Sequence, residues 1–209
     1  MVDGHYSFYQ DFIKVFESYS VYAAIVAAFI FATYKSWKRY SKEFGSNDNF
    51  IILHSEIHEQ LTELRVLTDA ARTQIIQFHN GEYFMDGVSM RKFSVTHESL
   101  EKGIDSDANR IKGLLCSMFI PLLNCIVADN SKIHYTVDLN NSYLKQYLES
   151  RNVEAFSVLP IKLLNQITGF IMVQWCSSLK AERIDETFSM GQIIKTRNQI
   201  TAQLGQQKK

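Results

Sequence analysis

The chain has 209 residues, 46% hydrophobic and 21% charged, enough for one packed core plus an appendage and unlike a disordered chain. Lysine plus arginine and aspartate plus glutamate both total 22, so the basic excess of a phosphate-tracking surface is missing and no nucleic-acid partner is expected. Cys116, Cys125 and Cys176 have no C-x-x-C spacing and sit in apolar runs, which argues against a disulfide framework or a zinc ribbon and for buried thiols acting as small hydrophobes.

Residues 1–17 form a short N-terminal segment. Residues 18–34, SYSVYAAIVAAFIFATY, carry no charge and predict a transmembrane helix. At helical rise this run covers roughly 25 Å, the short end of a bilayer core. Tyr9, Phe12, Phe16 and Tyr19 precede it and Tyr34, Trp37 and Tyr40 follow, as at two lipid–water interfaces. A cleaved signal peptide would need a basic start and an A-x-A site, and Asp3 and Asp11 stand at the start instead. Lys35, Trp37, Lys38 and Arg39 are the expected anchor flank on the bilayer partner. With Lys42 they outnumber Lys14 before the span, so the positive-inside rule predicts a single-pass inner-membrane protein with its C-terminal part in the cytoplasm.

Residues 35–49 read as a basic and polar linker ending in GSNDN, and residues 50–205 as the soluble domain. A helix over 50–72 carries Phe50, Ile57, Leu61, Leu64 and Ala71 at helical spacing, widened by Leu53 and Leu67. His54 and His58 stand one turn apart on it, a spacing that metals use, but no third ligand is evident and metal binding is not expected. Residues 73–78 and 88–97 read as strands. Between them, Asn80–Gly81 and Asp86–Gly87 read as turns, because both pairs tolerate positive φ. Val88 and Met90 are out of phase with Phe93 and Val95, which predicts a β-bulge near Arg91–Lys92.

Helical periodicity runs over 107–128, with Pro121 dividing or starting a helix. A third strand is expected over 132–139 and a short helix in SYLKQYLES. VEAFSVLPIKLL and ITGFIMVQWC then read as a hairpin across Asn165–Gln166, the second strand central because it is apolar on both faces. Residues 184–204 predict an amphipathic helix burying Ile184, Phe188, Ile193, Ile194, Ile200 and Leu204.

This order of elements resembles a GAF domain, the sensor fold related to PAS, over about residues 50–205. The most specific stretch is RNVEAFSVLPIKLLNQITGFIMVQW, where Arg151, Pro160, Asn165 and Gly169 match a helix end, a strand end, a turn and a packed strand glycine. The resemblance implies an α+β fold: an antiparallel sheet of about five strands flanked by helices, behind the one N-terminal transmembrane helix. It also implies terminal helices on one sheet face and a small-molecule pocket on the other. The N-K-x-x-x-F-x-x-x-D signature of cyclic-nucleotide GAF domains is absent, and no cysteine stands as a bilin attachment site, so the cofactor or ligand stays unknown. The single span followed by an α/β domain also resembles T-even-type phage holins, whose late segment is echoed by Pro160, Asn165, Gly169 and Trp175. That likeness implies control of host lysis timing through partner proteins.

The chain shows no nucleophile elbow and no phosphate-cradling glycine loop, so a non-catalytic module is expected rather than an enzyme. The candidate ligand- or partner-binding residues are Asn80, Tyr83, Phe84, Asp86 and Arg91 of the first hairpin, with His97 and Glu98 at its far end. The regular stripes on helices 50–72 and 184–204 add a homodimer or higher oligomer to the expected partners, beside a small molecule or a protein.

Overall fold

A strand that is apolar on both faces can be satisfied only in the middle of a sheet covered on both sides. In the computed structural model, which describes residues 22, 25–38, 47–83 and 89–206, that strand is Gln166–Trp175, and it lies between two long neighbours. The chain divides into two units, residues 1–51 and 52–209. The elements are α1 (25–38), α2 (Asn47–Leu67), β1 (Arg72–Tyr83), β2 (Ser89–Leu100), β3 (Leu114–Leu115), α3 (Ile120–Ala128) and β4 (His134–Tyr135). They continue as α4 (Tyr143–Ser150), β5 (Ala155–Leu163), β6 (Gln166–Trp175), α5 (Ser178–Glu182) and α6 (Glu186–Gln206). The sheet has six strands in the order β3-β2-β1-β6-β5-β4, every neighbouring pair antiparallel. The α+β class is as expected, and the sixth strand is the two-residue β3, too short to show any period in the sequence.

Alternation along the strands divides the core in two. Ile75, Leu159, Ile161, Ile171, Val173 and Trp175 face α2 and α6, where they meet Ile57, Leu61 and Leu64 and Met190, Ile193, Ile200 and Leu204. The intervening residues Ile76, Phe93, Phe156, Val158, Phe170 and Met172 face the opposite way, onto Phe119, Leu122 and Ile126 and onto Leu144 and Leu148 of α4. Each of these side chains contributes about 1.5–3 kcal/mol on full burial. Phe50 and Phe188, expected inside, are exposed, and Ile184 and Ile194 are partly buried against the first core.

Two positions need special backbone. A Cβ at Gly169 would lie 2.4 Å from the Ile76 carbonyl oxygen, so β6 and β1 can pack only around a glycine. Leu164 (φ 51) and Asn165 (φ 62) both adopt left-handed backbone, which places the β5–β6 turn at Leu164–Asn165 rather than at Asn165–Gln166. Pro160 is not at a strand end. It lies within β5, on the stretch that β4 does not pair, where a missing N–H costs no ladder bond to that side.

Several expected boundaries shift. β1 continues through Asn80–Gly81, which is therefore not a turn. Asn80 pairs with Arg91 and Tyr83 with Ser89, with a register irregularity between those pairs. The Asp86–Gly87 pair lies outside the described residues. Near the expected Arg91–Lys92 position the ladder does break register, between the Asn80–Arg91 and Tyr83–Ser89 pairs, and a second, unexpected bulge is at Thr96, because Ile75 pairs with His97 and Ile76 with Val95. Arg91 and Lys92 pair regularly with Asn80 and His79. Residues 107–113 are not helical. Arg110 and Ile111 both donate their amides to the Asp107 carbonyl, Val95 donates to the Ile111 carbonyl, and Gly113 turns at φ 70. A 3-10 turn at Cys116–Phe119 leads into the α-helix, which begins at Ile120 with Pro121 in its first turn as expected. The third strand shrinks to His134–Tyr135, because Thr136 turns away to bond the Val153 and Glu154 carbonyls.

Among the described residues no helix is long and apolar enough to cross a membrane. Part of the expected span, 18–34, lies outside the described residues; the described part belongs to α1, where Ile25, Phe29, Ile30, Phe31 and Tyr34 are all exposed.

Candidate functional site

The site starts from the first residue of β1. Arg72 shares a face with Gln74, Ile76 and Phe78, so its guanidinium points into the layer under α4 rather than to water. Its side chain is 1% exposed. Such a charge requires partners, and the loop after β2 supplies them. Asp107, fully buried, reaches Arg72 Nη1 at 2.7 Å with one carboxylate oxygen and Arg151 Nε at 2.7 Å with the other. The Asp105 carbonyl accepts from Arg72 Nη2 (2.8 Å) and from Arg151 Nη2 (3.0 Å). Gln174 Oε1 accepts from Arg72 Nη1. Glu98, across the sheet from Gln74, accepts from Gln74 Nε2 (2.7 Å), the Asp107 amide (3.0 Å) and Ser106 Oγ (2.5 Å), with Arg72 Nε at 3.7 Å. Two guanidiniums and two carboxylates thus balance inside the fold and fasten loop 101–113 across the end of the sheet.

A cavity of about 250 Å³ opens beside this cluster, lined by Arg72, Asp105, Ser150, Arg151, Asn152 and Cys176. Burial, followed by the Asp107 charge, pushes the Tyr147 phenol above its usual range. Burial also pushes the Cys176 thiol up, against the pull of Arg72 and Arg151. Both groups therefore stay protonated at neutral pH, and Cys176 brings no thiolate nucleophile to the lining. Elsewhere on this face Phe78, Phe93, Phe119 and Phe170 touch edge to face or tilted, and they fill the space under the sheet.

The candidate residues read from the sequence do not converge. Asn80 and Arg91 are exposed partners on the β1–β2 ladder, and Glu98 pairs with Gln74 six positions away, about 20 Å along a strand. The Tyr83 backbone pairs with Ser89, but its side chain, Phe84, Asp86 and Arg39 lie outside the described residues. Lys35, Trp37 and Lys38 are on α1, with Trp37 exposed. Glu98 belongs to the buried cluster. Arg72, Gln74, Asp107 and Gln174 were not anticipated; the available signal was Arg72 and Gln74 on the same face as Ile76 and Phe78.

His97 faces away from Glu98. The bulge at Thr96 turns it onto α2, where His97 Nε2 meets His54 Nδ1 at 2.5 Å and the rings lie nearly parallel, 7° apart. Burial, then the charges of His54 and His58, lowers His97 to about 4, and burial lowers His54. A tetrahedral zinc with bonds of about 2.0–2.1 Å would hold two nitrogens roughly 3.3 Å apart. The observed spacing suits a shared proton, and among the described residues no three ligands converge on a metal position.

No family model and no curated protein matches this sequence. Solved structures do match in fold. The cyanobacteriochrome receptor PixJ is 16% identical with a TM-score of 0.53, covering 75% of this chain and 97% of its own. A phycoerythrobilin-bound GAF domain from a cyanobacterial phytochrome is 16% identical with a TM-score of 0.55, covering 78% of this chain and 90% of its own. A far-red cyanobacteriochrome photoreceptor is 16% identical with a TM-score of 0.53, covering 80% and 96%. The fold is therefore GAF-like, and at this identity the likeness concerns the fold. These neighbours give the holin resemblance no support.

Proposed function

We propose that this GAF-like chain is a non-catalytic sensory module that binds a small polar molecule in the cavity at Arg72 and Arg151. The observation that carries this reading is the cavity itself: about 250 Å³, walled by two buried guanidiniums and the polar groups of Ser150 and Asn152. Ligand pockets run from about 300 Å³ upward, so a small metabolite suits this volume better than a tetrapyrrole. A bilin such as the phycoerythrobilin of one structural neighbour does not suit this chain, because phenylalanines pack the sheet face under α4 and burial keeps Cys116, Cys125 and Cys176 protonated.

Thermal shift of the full chain with inorganic phosphate, citrate, glutamate and AMP tests the reading. At least one is expected to raise Tm by several degrees, as binding to the folded state alone requires. Ser150→Phe, which fills the cavity, should abolish that rise. No rise with any of the four, or an equal rise in Ser150→Phe, would sink the assignment.

The module is further proposed to sit on the inner membrane, facing the cytoplasm and acting as a homodimer. Support comes from the apolar side chains exposed along α1 and the Lys35 and Lys38 flank. A periplasm-specific phosphatase fused after Lys209 is expected to be inactive. Activity would favour the lysis-control alternative, in which the domain lies outside the inner membrane. Crosslinking in membranes should trap a dimer.

A further inference from the structure

We propose that His54 and His97 form an acid-sensitive latch between α2 and the edge of the sheet. The inference is independent of the small-molecule reading.

The hydrogen-bond chain settles which nitrogen carries which proton. Thr96 Oγ1 donates to the Ile75 carbonyl at 3.3 Å, so its oxygen is left to accept. His97 Nδ1, 3.1 Å from that oxygen, is then the protonated nitrogen, and His97 Nε2 presents its lone pair. His54 Nδ1–H donates to it across 2.5 Å. Only one hydrogen fits between the two rings. A second proton has one place to go on His97, Nε2, and there it would set N–H against N–H and remove the acceptor. Protonation of His97 therefore opens the contact.

The described groups around His97 give an added proton little compensation. From α2 the titratable groups that reach His97 are His54 and His58, both of the same sign when charged. Arg65, further along α2, is occupied with Ser99 Oγ at 3.3 Å. β1 contributes the apolar Ile75 opposite His97. The Glu98 carboxylate, next in the chain, lies on the other face, bound to Gln74, Ser106 and the Asp107 amide. Among the described residues no carboxylate is found acting on the His97 imidazole, so there an added charge is not neutralised.

The sign follows from linkage. His97 titrates at about 4 when the latch is closed and near its ordinary 6.5 when it is open. The open form takes up the extra proton between those values, so closure is complete above pH 6.5 and is lost as pH falls toward 4. Within that window each pH unit favours opening by about tenfold at most. The latch lies in the first half of α2 (Asn47–Leu67), so opening frees the part of the helix that leads toward the N-terminal unit.

Hydrogen exchange of the full chain at pH 7, 6, 5 and 4, corrected for intrinsic rates, tests this. Amides of residues 50–60 should lose protection as pH falls while those of α6 keep theirs. His97→Gln, which can accept from His54 without titrating, should abolish the pH dependence. His97→Lys, charged throughout, should leave residues 50–60 unprotected already at pH 7. A fall of protection equal in α2 and α6, or a pH dependence retained in His97→Gln, would overturn the latch. NMR titration of the unmutated chain gives a check that needs no variant: the His97 imidazole should titrate well below 6.5, and titration at 6.5 would exclude the proposed contact.

Discussion

The two faces of this sheet use the same strands and different physics. The face under α2 and α6 is almost wholly apolar, from Ile75 through Ile171 to Trp175, with Trp175 Nε1 satisfied by the Thr68 carbonyl at 2.9 Å. The face under α3 and α4 is aromatic in its middle and ionic at one end, where Arg72, Glu98, Asp107 and Arg151 are enclosed. The first face tolerates loss of a contact by relaxing around a cavity. The second cannot relax around an unpaired charge, so its stability is concentrated in few atoms.

The largest expected effect comes from breaking the ionic end. Asp107→Asn leaves two buried guanidiniums without their shared carboxylate and should cost about 3–5 kcal/mol in urea unfolding. The triple change Arg72→Met, Asp107→Leu, Arg151→Leu should cost less than Asp107→Asn alone. If it costs more, the cluster contributes net stability and the contrast between the faces is misdrawn. On the other face, Leu61→Ala should cost about 2–5 kcal/mol by cavity formation, with the slope of the unfolding curve unchanged. Between the faces, Gly169→Ala drives a methyl into the Ile76 carbonyl and should cost roughly 1–3 kcal/mol, read as a lower Tm. The smallest effect lies outside both cores. Leu164 is 88% exposed in left-handed backbone, and Leu164→Asn should raise stability by about 0.5–1 kcal/mol.

Much of the first face was legible. Ile57, Leu61 and Leu64 recur at helical spacing, and β6 announces its central place by having no polar face. The second face was harder to read. Residues 107–113 share the period of α3, yet Asp107 is drawn to two arginines from β1 and from the end of α4, separated from it by dozens of positions in the chain. The same holds for the bulge: the phase break between Met90 and Phe93 points to an irregularity beside Arg91, whereas nothing in the sequence signals the extra residue at Thr96.

Local chemistry was enough to determine the strands of the long hairpin and the two helices with apolar stripes, because periodicity and turn preference act within a few residues, and the α+β class and the packed glycine at 169 came from the resemblance to GAF domains. Only the tertiary structure decided where charge is buried and which histidines meet. Arg72 finds Asp107 and Arg151, and His97 finds His54, across distances that no local pattern encodes. Those pairings follow from strand order and from one extra residue at Thr96, which turns His97 toward α2 and leaves Glu98 on the opposite face.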